Sequence, residues 1–479
     1  MANHSAKNTD RSPQPQEERV PEPGAELTVE IRELAGSGDG VAFLNGRKVF
    51  VPGTIPGEKI RTRISESHQN YISGTVSGII ESSPWRSRAE ITPADSSCLP
   101  LRHIAYERQL DIKKEIVESA FRKAGLQISV PPVTGSDTVN GYRNKTIYYV
   151  RQNDDGSPAI GTFGRGSHRI TDIETGICAS DSVTAWQTGL LVKKWMRENS
   201  ITGWNEKDGT GLVRALVIRT ARSNETMVVL VTSKADVPAV KPLAESLMKS
   251  GASSFYININ PLPDNTVMRG DLMLVSGKDH ITDSLLGLRC RITPFSFFQV
   301  NRGQAERLYS CVRDFLGTVP GTVFDLYCGT GTIAMTVSGN AREVYGIEIV
   351  DEAVSDARDN AGINGITNCE FMSGKSEEIV PELAAQGIKP DAVIVDPPRK
   401  GLAGSLVSML LEMKPERIVY VSCLPKSLAR DMKALSSEYM VGKISCFDMF
   451  PDTVHVETVV LLSQTSQLKI ARKALCGKG

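Results

Sequence analysis

The residue types best able to do chemistry stand at the ends of short apolar runs in the last third of the chain. Ile418, Val419, Tyr420 and Val421 form one such run, Cys423 follows it, and Pro425, Ser427, Leu428, Ala429 and Met432 open a helical repeat. The pattern predicts a thiol at the carboxyl end of a strand, facing the N-terminus of a helix. A thiolate is a nucleophile, and the positive end of a helix lowers a thiol's pKa. A cysteine taken at random is more often a buried structural residue, so its surroundings must decide. Asp325, Glu348 and Asp396 end three further apolar runs in the same way.

Asp325-Leu-Tyr327-Cys-Gly329-Thr-Gly331-Thr332 reads as a strand entering a glycine loop that leads into a helix, so backbone can approach a ligand closely. Glu348 ends the next strand, suited to accept hydrogen bonds from ribose hydroxyls. Met335 fills the third glycine position of a GxGxxG pattern, and no Walker lysine follows. This counts against a dinucleotide and favours S-adenosylmethionine, whose amino-acid end needs no pyrophosphate cradle. A tight turn in an unrelated α/β protein is the plain alternative.

Elements that position these residues follow from periodicity. From about 289 to 470 strand and helix alternate five times (VFDLY, EVYGIEI, CEFMS, AVIVD and IVYVS each precede a helical stretch), then KISCFDMF and ETVVLL follow with no helix between them. That predicts a doubly wound α/β sheet with an antiparallel edge strand, and ligands in such sheets bind beyond the carboxyl ends of the strands. Residues 131–288 mix strands such as KTIYYVR and TMVVLVTS with helices and read as a central α/β domain that by itself suggests no chemistry. Residues 86–130 read as a linker and a helix from Tyr106 to Ala124. Residues 25–85 carry short alternating runs cut by turns, an OB-like five-stranded β-barrel on which Lys48, Lys59, Arg61, Arg63 and His68, with Phe43, Phe50 and Tyr71, offer charge and stacking surface. A solvated barrel with ordinary surface lysines is the bland reading. Residues 1–24, polar and proline-rich, read as a disordered tail.

Among 479 residues, 55 Lys and Arg balance 55 Asp and Glu, so binding to nucleic acid must be local. No secretory signal opens the chain, no apolar run approaches the roughly 20 residues of a membrane helix, and the nine cysteines form no close pair in sequence. The expectation is a reduced, cytoplasmic protein with no membrane contact, and a monomer.

Six motifs then occur in one order: Phe297-Phe298-Gln299-Val300-Asn301, the glycine loop, Gly346-Ile-Glu348, Asp396-Pro397-Pro398-Arg399-Lys400-Gly401, Ser422-Cys423-Leu424-Pro425-Lys426, and Asp448-Met-Phe450-Pro451-Asp-Thr453-Val-His455-Val456-Glu457. Together they resemble the RNA uracil-5-methyltransferase family over about Glu26 to Leu462, the N-terminal β unit being similar to a TRAM domain and Gly141 to Lys145 to the family's central domain. The resemblance implies a Rossmann-like methyltransferase domain, S-adenosylmethionine as methyl donor, and uridine in RNA as substrate, with 23S rRNA favoured and tRNA as the alternative. It implies Cys423 as the nucleophile on carbon 6 of uracil and Glu457 as the base that removes the carbon-5 proton, with His455 as rival base. It puts Gln299, Tyr327 and Glu348 on the cofactor, and Asp396 near the cofactor and the uracil edge. Plainer readings are a core role for Tyr327 and a helix cap for Asp396. The target base must be unpaired or flipped, and Phe297 or Phe298 would stack on it unless both are core.

Two departures stand out. Many members carry a four-cysteine iron–sulfur site written in part as CGGC; here the stretch reads Ser96-Ser97-Cys98-Leu99-Pro100-Leu101-Arg102-His103, Cys98 is off register and Cys178 is the one survivor, so neither a cluster nor another metal is expected. Lys375 stands where relatives place an acidic or amide residue near the adenine, and Leu424 replaces the asparagine after the nucleophile. The competing class is a non-catalytic RNA-binding or chaperone protein on the same scaffold; retention of both Cys423 and Glu457 opposes it.

Overall fold

In the computed structural model, residues 21–465 are described apart from 166 and 168. Most of the tail expected over 1–24, residues 1–20, lies outside the described residues, as do Cys476 and the last residues of the C-terminal region. Among the described residues no helix is long and apolar enough to cross a membrane.

The chain divides into two compact units, 1–86 and 87–479. In the first, strands lie in the order Glu26–Glu30, Lys59–Ser67, Tyr71–Glu81, Arg47–Val51, Gly40–Leu44 and Glu33–Leu34. Five strands were expected, and the sixth is the two-residue Glu33–Leu34. Period-two alternation builds the sheet: Ile60, Thr62 and Ile64 point into a core with Ile31, Val49 and Ile72, while Lys59, Arg61 and Arg63 face out.

The second unit carries two seven-stranded sheets. The central one runs Leu272–Gly277, Ser254–Ile259, Thr226–Thr232, Val213–Thr220, Lys145–Gln152, Pro158–Phe163 and Ile170–Asp172. The C-terminal one runs Cys369–Ser373, Ala341–Glu348, Val319–Leu326, Ala392–Val395, Arg417–Ser422, Glu457–Gln464 and Tyr439–Phe447. Its first five strands are parallel, as strands joined through helices must be.

The antiparallel strand is not at the edge, as the sequence reading expects. Glu457–Gln464 runs antiparallel between Arg417–Ser422 and Tyr439–Phe447, and the latter forms the edge. Burial explains the exchange. Glu457 to Leu462 are buried throughout, whereas the edge strand turns Met440, Gly442 and Lys443 to solvent. An apolar run with no polar face sits inside a sheet.

The helix Tyr106–Lys123 packs where its apolar stripe dictates. Val117 and Phe121 join a core with Phe324, Leu326, Tyr420 and Met432 of the C-terminal sheet and its helices. Its polar residues hold the segment leading to Glu457: Gln109 Nε2 donates to Asp452 Oδ1 at 2.8 Å, the Tyr106 hydroxyl donates to Asp448 Oδ2 at 2.7 Å, and Lys113 forms a fully buried ion pair with Asp448. Removing one partner of such a pair leaves a buried charge and costs about 3–5 kcal/mol.

Candidate active site

Cys423 follows the strand Arg417–Ser422, all of it buried beyond Arg417, and precedes the helix Pro425–Leu435, with Pro425 in its first turn. The Ser422 Oγ accepts from the Leu424 backbone N at 3.2 Å, and the Ser427 Oγ donates to the Leu424 carbonyl at 3.0 Å, so the bend that presents the thiol is tied at both ends. Ser422 pairs with Thr458 across the antiparallel ladder. Cys423 follows Ser422 and Glu457 precedes Thr458, so both fall at the same end of this ladder, where the Glu457 carboxyl acts on the thiol.

The thiol's acidity is a correction to the sequence reading. A helix N-terminus was expected to lower it; instead burial, then the Glu457 and Asp396 carboxyls, push it up to about 11, with Arg399 opposing them. Desolvation and two acids outweigh the helix end.

Glu457, 6% exposed, is pushed up to about 8 by burial and then by Asp396, again against Arg399. Burial raises Asp396, at the end of Ala392–Val395, to about 6. The ends of three adjacent strands thus bring together one thiol and two carboxyls. Arg399 also donates to His455 Nε2 at 3.4 Å, and burial, then Arg399, push this imidazole down to about 4.

On the other side of Ala392–Val395 in the sheet, Val319–Leu326 ends in the glycine loop. Tyr327 takes φ +69°, a left-handed backbone that a side chain rarely adopts, followed by Gly329 at +54° and Gly331 at +75°. The Glu348 carboxylate accepts from the Gly329 N at 3.1 Å and the Val350 N at 3.0 Å. Asp325 is fully buried, no side-chain donor reaches its carboxylate, and burial, Asp396 and Glu348 hold its pKa well above the ordinary value against the Ala334 backbone N–H. At Gly329 an added Cβ would enter open space. The ends of three strands thus gather the Asp325, Glu348 and Asp396 carboxyls beside the loop, a charge pattern that suits a cationic ligand.

The segment before the helix Arg302–Leu316 is bonded to the glycine loop and the helix after it. Gln299 meets the Tyr309 hydroxyl, which accepts from Thr332 Oγ1 at 3.3 Å, and the Thr330 Oγ1 donates to the Phe297 carbonyl at 3.2 Å. The two phenylalanines separate: Phe297 is 62% exposed and Phe298 is 5% exposed, core. Lys375 points outward, paired with Glu378 at 3.0 Å. Leu424 is partly exposed beside Cys423.

Three features escaped the sequence reading. The left-handed Tyr327 had no signal, because only glycines advertise positive φ. Arg399 was legible in its motif but not as the cation acting on Cys423, Glu457 and His455 together. Cys98 and Cys178, 80 residues apart, lie with Sγ atoms 2.7 Å apart. Among the described residues no group of three or more His, Cys, Asp or Glu side chains is arranged to hold a metal ion.

Residues 273–465 match the family model described as tRNA (Uracil-5-)-methyltransferase, and residues 21–77 match the TRAM domain. An uncharacterized RNA methyltransferase of Clostridium tetani is 37% identical over 443 residues, 90% of this chain and 95% of that protein. One of Enterococcus faecalis is 36% identical over 448 residues, 91% and 97% of the two chains. The crystal structure of Pyrococcus abyssi tRNA (uracil-54, C5)-methyltransferase in complex with S-adenosyl-L-homocysteine superimposes with a TM-score of 0.74 at 30% identity, covering 91% of this chain and all of that one. The chain belongs to the RNA uracil-5-methyltransferase family. In this methyltransferase the TRAM match falls on the β unit, whose surface gathers the Lys48 ammonium 5.8 Å from the Phe43 ring centre and the His68 ring stacked 4.4 Å from Tyr71. Most of its basic groups carry acidic neighbours: Lys48 with Glu33, Lys59 with Glu81, Arg63 with Glu26.

Proposed function

We propose that this chain methylates carbon 5 of uracil in RNA through a covalent adduct between Cys423 and carbon 6, with Glu457 as the base that resolves it. The observation that supports the reading is that the ladder ending at Ser422 and Thr458 brings Cys423 and Glu457 to one end of the sheet, where Glu457 and Asp396 both act on the thiol. S-adenosylmethionine, when bound, supplies the electrophilic methyl group. Gln299, Tyr327, Glu348 and Asp396 would hold it, and the Asp325, Glu348 and Asp396 carboxyls gathered at these strand ends support a cationic occupant. Carbon 5 of uracil is a poor nucleophile until a thiolate adds at carbon 6. Cys423 rests as a thiol, and Arg399, the cation acting on it, favours the thiolate as it adds. After methyl transfer Glu457 takes the carbon-5 proton and the carbon–sulfur bond breaks, returning Cys423. Exposed Phe297 offers a stacking face to the flipped base. His455 is a weaker base than Glu457, because burial and Arg399 disfavour its proton. The TRAM unit contributes RNA affinity through its aromatic and basic surface.

The sequence reading favours 23S rRNA. The Pyrococcus abyssi neighbour, named for uracil-54 of tRNA, supports tRNA as the second reading. Mass spectrometry of RNA fragments from wild-type and deletion strains decides: 5-methyluridine should vanish from one position in 23S rRNA. Loss confined to tRNA moves the substrate, and no loss in any RNA sinks the proposal.

A second prediction concerns cofactors. With the pattern cysteines replaced near Cys98, anaerobically purified protein should be colourless and hold no stoichiometric iron. Iron in proportion to protein, with broad visible absorption, overturns this.

A further inference from the structure

A cleft of about 610 Å³ opens in the central α/β region, away from Cys423 in sequence and built entirely from residues between 149 and 267. One wall is the sheet. Tyr149 and Phe163, both half-buried, pack with ring centres 4.4 Å apart, and the Arg151 guanidinium lies 5.1 Å from the Phe163 ring centre. Beside them the Arg214 guanidinium lies 4.6 Å from the centre of the Trp204 ring. The cleft is thus lined with flat π surfaces and planar cations.

The opposite wall is the connection 260–271, which has no regular structure of its own. Three buried polar side chains hold it. Arg214 donates to the carbonyls of Asn260, Leu262 and Asp264 at 2.6, 2.5 and 3.1 Å. Asn260 Nδ2 donates to the carbonyls of Thr266 and Val267 at 2.7 and 3.1 Å, and Asn258 Nδ2 to those of Arg269 and Asp271 at 2.9 and 3.1 Å. Burying an arginine and two amides to fix a surface connection is costly unless each is bonded, so the wall is preformed.

Charge narrows the occupant. Arg151 is paired with Glu206, and Arg214 is spent on carbonyls beside Asp264. The cleft is near neutral, which disfavours a phosphate and suits a planar, uncharged ring. Its volume matches that of small-molecule sites, and aromatic rings and arginine planes are how proteins hold splayed-out bases of single-stranded RNA.

Its position ties it to the active site. Tyr149 pairs with Ala215 and, four residues along the same ladder, Lys145 pairs with Arg219. At roughly 3.3 Å per residue that is about 13 Å. At the far end Arg219 donates to the carbonyls of Pro294 and Ser296, and Asn144 Nδ2 to that of Gln299 at 2.7 Å, the segment that carries Phe297. We infer that this cleft binds a second unpaired nucleobase of the RNA substrate, close in sequence to the target uridine, by stacking on Tyr149, Phe163 and the Arg151 plane. The inference rests on the RNA-methyltransferase reading of the active site.

The test titrates full-length protein with a fluorescein-labelled, unstructured RNA of mixed sequence and with an abasic copy of it. Base–aromatic stacking changes affinity by about 5- to 150-fold per base. Tyr149→Leu/Phe163→Leu should lose a factor in that range on the base-bearing RNA and nothing on the abasic one, while binding S-adenosylmethionine as wild type does. Tyr149→Phe, which keeps the ring, should behave as wild type. Should the double variant fail to hold the cofactor, Phe163→Leu alone reads the same loss. Equal losses on both RNAs, or none, overturn the cleft as a base site and leave the methyltransferase reading intact. Wild-type protein that binds neither RNA overturns that reading itself.

Discussion

Cys423→Ala protein should form no denaturation-resistant complex with RNA, and Glu457→Gln protein should accumulate one. The two residues act on opposite sides of methyl transfer, so they fail differently. Without the thiol no adduct forms, and turnover is lost. Glu457→Gln keeps the nucleophile, and its amide removes a partly charged neighbour that raises the thiol's pKa. Addition and methylation then proceed, but the carbon-5 proton stays. Losing a general base commonly costs a factor of roughly 100 to 10,000, so the stalled protein–RNA species should persist through denaturing electrophoresis over minutes to hours. Wild-type protein with 5-fluorouridine at the target should stop at the same stage. His455→Ala should turn over, because a base pushed down to about 4 has little affinity for the proton it would have to take. An adduct trapped by His455→Ala and released normally by Glu457→Gln reverses the assignment.

The second large effect is in pH. Glu457 acts as a base only when ionised, and its buried carboxyl holds a proton up to about 8. Release of methylated RNA in single-turnover experiments should therefore rise about tenfold per unit from about pH 6 to 7 and level off above about 8. A profile already flat from pH 6 assigns the step to a group of ordinary acidity and removes Glu457 from it. Stability should move the opposite way. A carboxyl whose folded pKa is raised stabilises the fold while protonated, and that contribution fades as pH climbs from the ordinary value of 4.5 through about 8. Glu457→Gln should thus be more stable to denaturant than wild type at pH 9, by on the order of a few kcal/mol, and by much less at pH 5.

What the sequence revealed followed from local rules. Cys423 at a strand end before a helix needed only the run Ile418 to Val421 and the proline after it, and the glycine loop needed only its spacing. What stayed hidden depended on neighbours distant in sequence. The acidity of Cys423 is set by burial and then by Glu457 and Asp396, brought in by two other strands, so the helix-end argument pointed the wrong way. The inner position of Glu457–Gln464 is decided by competition with Tyr439–Phe447 for a buried slot, and periodicity scores both simply as strands. Phe297 and Phe298 are adjacent and chemically alike, and only the packing of the helix beyond them sends one inward. Cys98 and Cys178 come together across 80 residues.

The helix Tyr106–Lys123 bears on how this molecule is put together. Its Val117 and Phe121, with Val130 and Val133, complete a core whose remaining buried members begin at Phe324, and Thr134 bridges to Phe447, yet the central sheet occupies the chain between. The catalytic fold is therefore discontinuous in sequence, and the central α/β region is an insertion into it. A fragment starting near residue 289 would bare the apolar floor on which this helix rests and would leave Asp448 without Lys113. Nor does the insertion lift out cleanly: Val217, Val229 and Tyr256 of the central sheet share one buried core with Leu308, Val312 and Val323, so a cut around it bares that face too.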